Sequence, residues 1–350
     1  MKDPDIGFGD AFTEGRLTIE GDLVRALEIA YNSPAVRPSG LRAFLQRLFD
    51  TNTLGGSRKN IHRHYDVGNG FYQLWLDREM LYTCAYFPQE HASLEQAQIA
   101  KMDHVCRKVW LQPGEYVIEA GCGWGSLALH MAKNYGVKVR AFNISREQIA
   151  FARERAKREG LRAQVEFIED DYRNISGQYD VFMSVGMLEH VGPDHYPELG
   201  KAIACAIGER GRGLIHSIGR NFDRPMSRWI RKRIFPGAYP PSLRQMMTIF
   251  EPQNYAVLDV ENLRQHYART LEHWMARFDH SYETIVKRYG ENFARAWRLY
   301  LAGSIAAFRV GTLQLFQVAF AGKTCKIPWN RSYLYDTSEQ KDQTWIRAIS

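Results

Sequence analysis

From residue 113 onward, short apolar runs alternate with stretches of helical spacing. Tyr116 to Ala120 reads as a first strand, followed by a helix from Ser126 to about Lys133. Lys138 to Phe142 is a second strand, and Ser145-Arg146-Glu147-Gln148 has the spacing of a capping box opening a helix to about Arg158. Strands follow at Gln164 to Ile168, Tyr179 to Val185 and Gly213 to Ile218, with a helix after Pro193. Strand–helix alternation of this kind predicts an α/β protein built on a doubly wound, mostly parallel sheet. An insertion at about 219–255, a strand from Ala256 to Val260, a largely helical stretch from Thr270 to about Phe308 and a last strand from Thr312 to Phe320 complete the pattern.

Ahead of this lies a short helical segment, residues 1–55, distinct from the main domain at 56–350. Leu23, Leu27 and Ala30 mark one amphipathic helix, and Leu41, Phe44, Leu45, Leu48 and Phe49 mark another. Two such helices cannot bury a core alone, so they are expected to pack on the main domain. Thr53-Leu54-Gly55-Gly56-Ser57 reads as the linker. The basic, aromatic run from Arg58 to Asp66 contains alternating His62 and His64, but no further ligands stand near enough to complete a metal site.

Composition adds bounds. The 350 residues are 45% hydrophobic and 24% charged, ordinary for a globular protein, and the net charge of +7 allows an anionic partner such as nucleic acid or phospholipid headgroups. The five cysteines are scattered and form no CxxC pair, so a disulfide framework and a zinc knuckle are not expected and a reducing, cytoplasmic setting is. The first residues carry acids and a proline without an apolar core, unlike a signal peptide. No apolar run approaches the roughly 18 residues that span a bilayer, so any action on lipid takes place at the surface.

The densest chemistry lies at Glu119-Ala120-Gly121-Cys122-Gly123-Trp124-Gly125, where a strand turns through alternate glycines into a helix. Such loops bring a nucleotide-like ligand against bare backbone, because a Cβ would obstruct it or demand positive φ. A dinucleotide loop wants a glycine where Ser126 stands and an acid after the second strand, where Asn143 stands. The Glu119–Gly125 pattern looks instead like the S-adenosylmethionine (SAM) loop of class I methyltransferases. Glu189 and His216 stand at the ligand-side ends of the fourth and fifth strands, suited to holding a proton acceptor.

Further motifs occur in order: His64-Tyr65-Asp66-Val67-Gly68-Asn69, Tyr82-Thr83-Cys84-Ala85-Tyr86-Phe87, Ser184-Val185-Gly186-Met187 with Glu189-His190-Val191-Gly192-Pro193, Phe235-Pro236-Gly237, and His266-Tyr267 with Thr270, Leu271 and Trp274. Together with the glycine loop they resemble the cyclopropane-fatty-acyl-phospholipid synthase family, which includes the mycolic acid cyclopropane synthases, over about residues 58–335. The resemblance implies a Rossmann-like SAM-dependent methyltransferase that cyclopropanates the cis double bond of a phospholipid acyl chain, with a bound bicarbonate as base. By motif, the bicarbonate contacts fall on Cys84 (through backbone), Glu189, His216, Ile218 and Tyr267. The SAM contacts fall on Tyr82, Thr83, Gly121, Gly123, Asn143, Gln148, Asp171 and Tyr172. The sequence departs from the family in Glu119, where Asp is more usual, in Asn143, often Thr, and in a shortened N-terminal segment whose Asp5–Gly15 resembles only the end of the family's N-terminal domain. The resemblance also leaves room for a homodimer.

The alternative within the class is methylation of the same alkene without ring closure. A nucleic-acid methyltransferase would carry an Asn/Asp-Pro-Pro-aromatic motif where Gly186-Met187-Leu188-Glu189-His190 stands, so no nucleic-acid partner is expected. In the insertion, Met226, Trp229, Ile230 and Ile234 share one side of a helix and Arg228, Arg231 and Lys232 another. That predicts docking on anionic phospholipid, with the enzyme peripheral on the inner face of the membrane.

Overall fold

The computed structural model describes residues 4–33 and 67–335. The second N-terminal helix, the linker and the Arg58–Asp66 run all lie outside the described residues. Helices α1 (Pro4–Thr13) and α2 (Leu23–Asn32) lead to α3 (Leu94–Lys108), then β1 (Tyr116–Ala120), α4 (Ser126–Tyr135), β2 (Lys138–Asn143), α5 (Arg146–Arg158), β3 (Val165–Glu169) and β4 (Val181–Val185). After α6 (Tyr196–Ile207) and β5 (Arg212–Gly219) come α7 (Arg228–Arg233), α8 (Leu243–Phe250), β6 (Ala256–Asn262), α9 (Arg264–His280), α10 (Tyr282–Tyr289), α11 (Glu291–Arg309) and β7 (Gln314–Ala321).

These strands form one sheet in the order β3-β2-β1-β4-β5-β7-β6. The first five pair in parallel, while β7 runs antiparallel to both β5 and β6. The order reverses between β1 and β4, and ligands of open α/β sheets sit outside the carboxyl ends of the strands at such a switch point. The central strands β4 and β7 are buried along their whole length, as expected where helices cover both faces of the sheet.

The sequence pattern places each strand to within a residue or two. It passes over three of the helices labelled above, besides the one-turn helices Asn69–Tyr72 and Ser332–Tyr335. α1, α3 and α8 were not predicted, and α3 is 15 residues long with a complete Ser93/Gln96 capping box. Its buried face explains the omission, because Gln98, Lys101, His104 and Lys108 are all buried. A helix with polar groups on its inner face does not show the apolar stripe by which amphipathic helices are recognised.

The N-terminal helices pack against α11. Arg295 of α11 donates to the Phe12 carbonyl at 2.7 Å, and Arg309 pairs with Glu28 at 3.2 Å. The insertion contradicts the expected outward apolar face. Its helix α7 is only six residues long, and Trp229 and Ile234 are buried against the core. Gly9 of α1 lies so close that a Cβ there would stand 2.3 Å from Trp229 Cδ1, and Arg233 clasps Asp10 with two hydrogen bonds of 3.0 and 2.7 Å. Trp229 therefore ties the insertion to α1 instead of reaching toward lipid.

Candidate active site

A cleft of about 1140 Å³, counting its open mouth, lies at the carboxyl ends of β1, β2 and β4. Its floor is the turn after β1. Gly125 opens α4 at φ +85°, and a Cβ there would meet Phe167 Cζ at 2.5 Å, so only glycine allows the helix to start so close to the sheet. Tyr82, Thr83, Gly121, Gly123, Asn143, Gln148, Asp171 and Tyr172, the residues expected to hold SAM, all line this one cleft.

Several of them are already held in place. Asn143 donates to the Gly123 carbonyl at 3.2 Å and to Gln148 Oε1 at 2.7 Å, which fixes the end of β2 against the glycine turn. Asp171 caps the turn after β3 and takes both arms of Arg173 at 2.8 and 2.9 Å. Tyr82 shares a hydrogen bond of 2.9 Å with Tyr300.

Lys101 is a cleft residue that the sequence reading missed. It is fully buried on α3 and donates to Thr83 Oγ1 at 2.9 Å, while Gln98 beside it donates to the Thr83 and Leu81 carbonyls at 3.0 and 3.3 Å. Together they secure the segment that forms one wall of the cleft. Glu119 and Lys101 both line it. Burial pushes the Glu119 carboxyl up and the Lys101 ammonium down, each against the attraction of the other.

None of the five residues expected to form a base site lines this cleft. Glu189 Oε1 accepts the Ile218 backbone N–H at 2.6 Å. Ile218 pairs with Leu315 across β5 and β7, and the Leu315 carbonyl accepts from Leu263 N–H at 2.9 Å. The Leu263 carbonyl in turn accepts from Tyr267 N–H at 3.0 Å and from the Cys84 thiol at 3.9 Å. One continuous set of contacts thus links Glu189, Ile218, Tyr267 and Cys84. His216 stands on the same face of β5 as Ile218, with Nδ1 3.1 Å from Gln317 Nε2.

Electrostatics separates the roles. Burial, partly offset by hydrogen bonds from its own and the Ile218 backbone, pushes the Glu189 carboxyl up to about 7, so it changes charge near neutral pH. Burial, with Lys101 and Lys108 nearby, holds the His216 imidazole neutral. Burial drives the Cys84 thiol far above its ordinary range, and the thiol donates to the Ala85 carbonyl at 3.2 Å. A thiol so held is no nucleophile.

Besides Gln317 Oε1, two buried atoms in this region have no hydrogen-bond partner: Glu189 Oε2 and His216 Nε2. Buried polar atoms are rarely left unpaired without a functional reason. Both suit a small oxyanion such as bicarbonate, with the imidazole N–H donating and the carboxyl group exchanging a hydrogen. Among the described residues, no group of histidine, cysteine and carboxylate side chains is arranged to hold a metal ion.

The family model for mycolic acid cyclopropane synthetase matches residues 54–318. This chain belongs to that family. It is 36% identical to a probable fatty acid methyltransferase of Pseudomonas putida, covering 93% of this chain and 86% of that one. It is also 36% identical to the cyclopropane-fatty-acyl-phospholipid synthase of Escherichia coli, covering 92% and 84%. Among solved structures, mycolic acid cyclopropane synthase CmaA1 complexed with SAH and CTAB superposes with a TM-score of 0.71 at 27% identity, over 75% of this chain and 97% of that one. The protein is therefore a SAM-dependent methyltransferase of the cyclopropane synthase type.

Proposed function

We propose that this enzyme transfers the methyl carbon of SAM to the cis double bond of an unsaturated phospholipid acyl chain and closes a cyclopropane ring, with bicarbonate as the base. The reading rests on the pair of unpartnered buried atoms Glu189 Oε2 and His216 Nε2. SAM supplies an electrophilic methyl group, and bicarbonate, when bound, supplies a proton acceptor.

The chain's own residues do the rest. The alkene is a weak nucleophile, so holding it in line with the donor methyl dominates the rate. Methylation leaves positive charge on the acyl chain. Tyr82, Phe235, Tyr300 and Trp274 form a chain of ring contacts with centroids 5.3 to 6.4 Å apart, in the apolar cluster that also holds Cys84. Aromatic faces that exclude water can tolerate such a cation until a proton leaves. Glu189, the Ile218 N–H, His216 and Tyr267 would hold the acceptor. CTAB in the CmaA1 structure is a cation with a long alkyl tail, which supports an acyl substrate here.

With Trp229 buried, contact with an anionic phospholipid surface falls to exposed Phe222 and Lys232 of the insertion. Liposome binding insensitive both to salt and to the anionic lipid fraction would refute that docking.

The enzymatic test is mass spectrometry of lipids from cells expressing the protein. Unsaturated chains should gain one CH2 and then resist hydrogenation. A gain of CH2 that remains reducible would establish methylation without ring closure, the outcome suggested by the name of the Pseudomonas relative.

A further inference from the structure

Behind the base site lies a ladder of polar groups across three strands. His216 of β5 stands opposite Gln317 of β7, and Gln317 stands opposite Glu261 of β6. His216 and Gln317 are buried to within 1%. Glu261 is committed elsewhere, 2.7 Å from His104 Nε2 and 2.7 Å from Lys108 Nζ, both on α3.

We propose that Gln317 is a positioning residue that fixes His216 in the tautomer carrying hydrogen on Nε2, so that a buried N–H faces the base site. The Gln317 amide decides the tautomer. Its nitrogen can only donate, and it lies 3.1 Å from His216 Nδ1, so Nδ1 must accept. A neutral imidazole has a single N–H, which therefore sits on Nε2, the atom without a partner. The orientation of the amide follows from Glu261. An unpaired carboxylate on the neighbouring strand would draw the Gln317 NH2 toward itself. His104 and Lys108 hold that carboxylate through Oε2 on the α3 side, and the Gln317 NH2 lies at His216 instead. The opposite orientation would put Gln317 Oε1 against Nδ1 and move the hydrogen there, turning an acceptor toward the site. Such a site would repel an oxyanion.

The inference rests on the base-site reading above, and one experiment separates the two. The full-length enzyme with ¹⁵N-labelled histidine is studied by NMR, with His216→Gln assigning the His216 resonances. The wild type should show hydrogen on Nε2 with or without SAM, and sodium bicarbonate should shift that nitrogen. Gln317→Glu replaces the donor by a carboxylate that accepts from Nδ1–H. It should move the hydrogen to Nδ1 and raise the bicarbonate concentration for half-maximal turnover by about tenfold. Gln317→Met, which cannot donate, should leave a mixture of tautomers, and it serves if the glutamate variant does not fold. Hydrogen on Nδ1 in the wild type, or a tautomer unchanged in both variants, would overturn the role of Gln317. If turnover still required bicarbonate, only that role would fall. If turnover ignored bicarbonate and its addition left His216 unmoved, the base-site reading would fall with it.

Discussion

Glu189→Gln is expected to cripple turnover and at the same time make the protein more stable at alkaline pH. In the fold, burial raises the Glu189 carboxyl from its ordinary 4.5 to about 7. Between those values the native state holds a proton that the unfolded chain has lost, so stability falls as pH rises through the interval. At about 1.36 kcal/mol per pH unit, the ionised group costs the native state about 3 kcal/mol by pH 8, and under about 1 kcal/mol at pH 5. Glutamine never ionises, and its Oε1 can still accept the Ile218 N–H that Glu189 takes at 2.6 Å. Other titrating groups are common to both proteins and cancel in the difference. Urea denaturation of both proteins at pH 5 and pH 8 measures the effect. The variant should exceed the wild type by roughly 2 to 3 kcal/mol more at pH 8 than at pH 5. A difference that does not change with pH, or a variant weaker at pH 8, would refute the placement of a buried, high-pKa carboxyl at this position.

The wild-type rate should rise with pH through about 7 as Glu189 ionises, and a flat profile from pH 6 to 8 would separate it from the proton-accepting step. Cys84→Ala should retain most activity, since the thiol contacts only the Ala85 and Leu263 carbonyls and is held protonated by burial; complete loss in a folded protein would give the side chain a direct role. Lys101→Met frees Thr83 at the cleft wall and should weaken SAM binding by roughly tenfold in calorimetry. Gly125→Ala forces a side chain into φ +85° and against Phe167, and should cost roughly 1 to 3 kcal/mol in urea denaturation.

The sheet was legible in the sequence because its strands are short apolar runs bounded by turn residues, and that signal survives without tertiary information. The glycine turn was legible because backbone conformation dictates residue type there. The base site was reachable only through motifs. Glu189, Ile218, Tyr267 and Cys84 come from distant parts of the chain, and what joins them runs through the Leu263 and Leu315 backbone, with the Glu189 carboxylate and the Cys84 thiol bonding to main-chain groups, so no sequence pattern announces it. Trp229 misled for a related reason. The amphipathic pattern of α7 is real, but whether an apolar side meets lipid or protein depends on what lies opposite. Here that is α1, with a glycine at the contact.

The polar stripe of α3 carries the most information that pattern reading discards. Gln98, Lys101, His104 and Lys108 recur at helical spacing, which would ordinarily mark a solvated face. In the fold each meets a partner supplied elsewhere: the Leu81 and Thr83 carbonyls for Gln98, the Thr83 hydroxyl for Lys101, and Glu261 for His104 and Lys108. Burying four polar side chains on one helix face is costly unless each is satisfied, and an apolar face would have packed against the sheet with less demand on geometry. The same stripe fixes one wall of the cofactor cleft at its Gln98–Lys101 end. At its His104–Lys108 end it occupies the carboxylate that would otherwise compete for Gln317. If the proposed function and the role proposed for Gln317 hold, a single helix braces the cofactor cleft at one end and the His216 contact at the other. On this argument, substitutions along α3 should disturb SAM binding and bicarbonate dependence separately, according to which end of the stripe they touch.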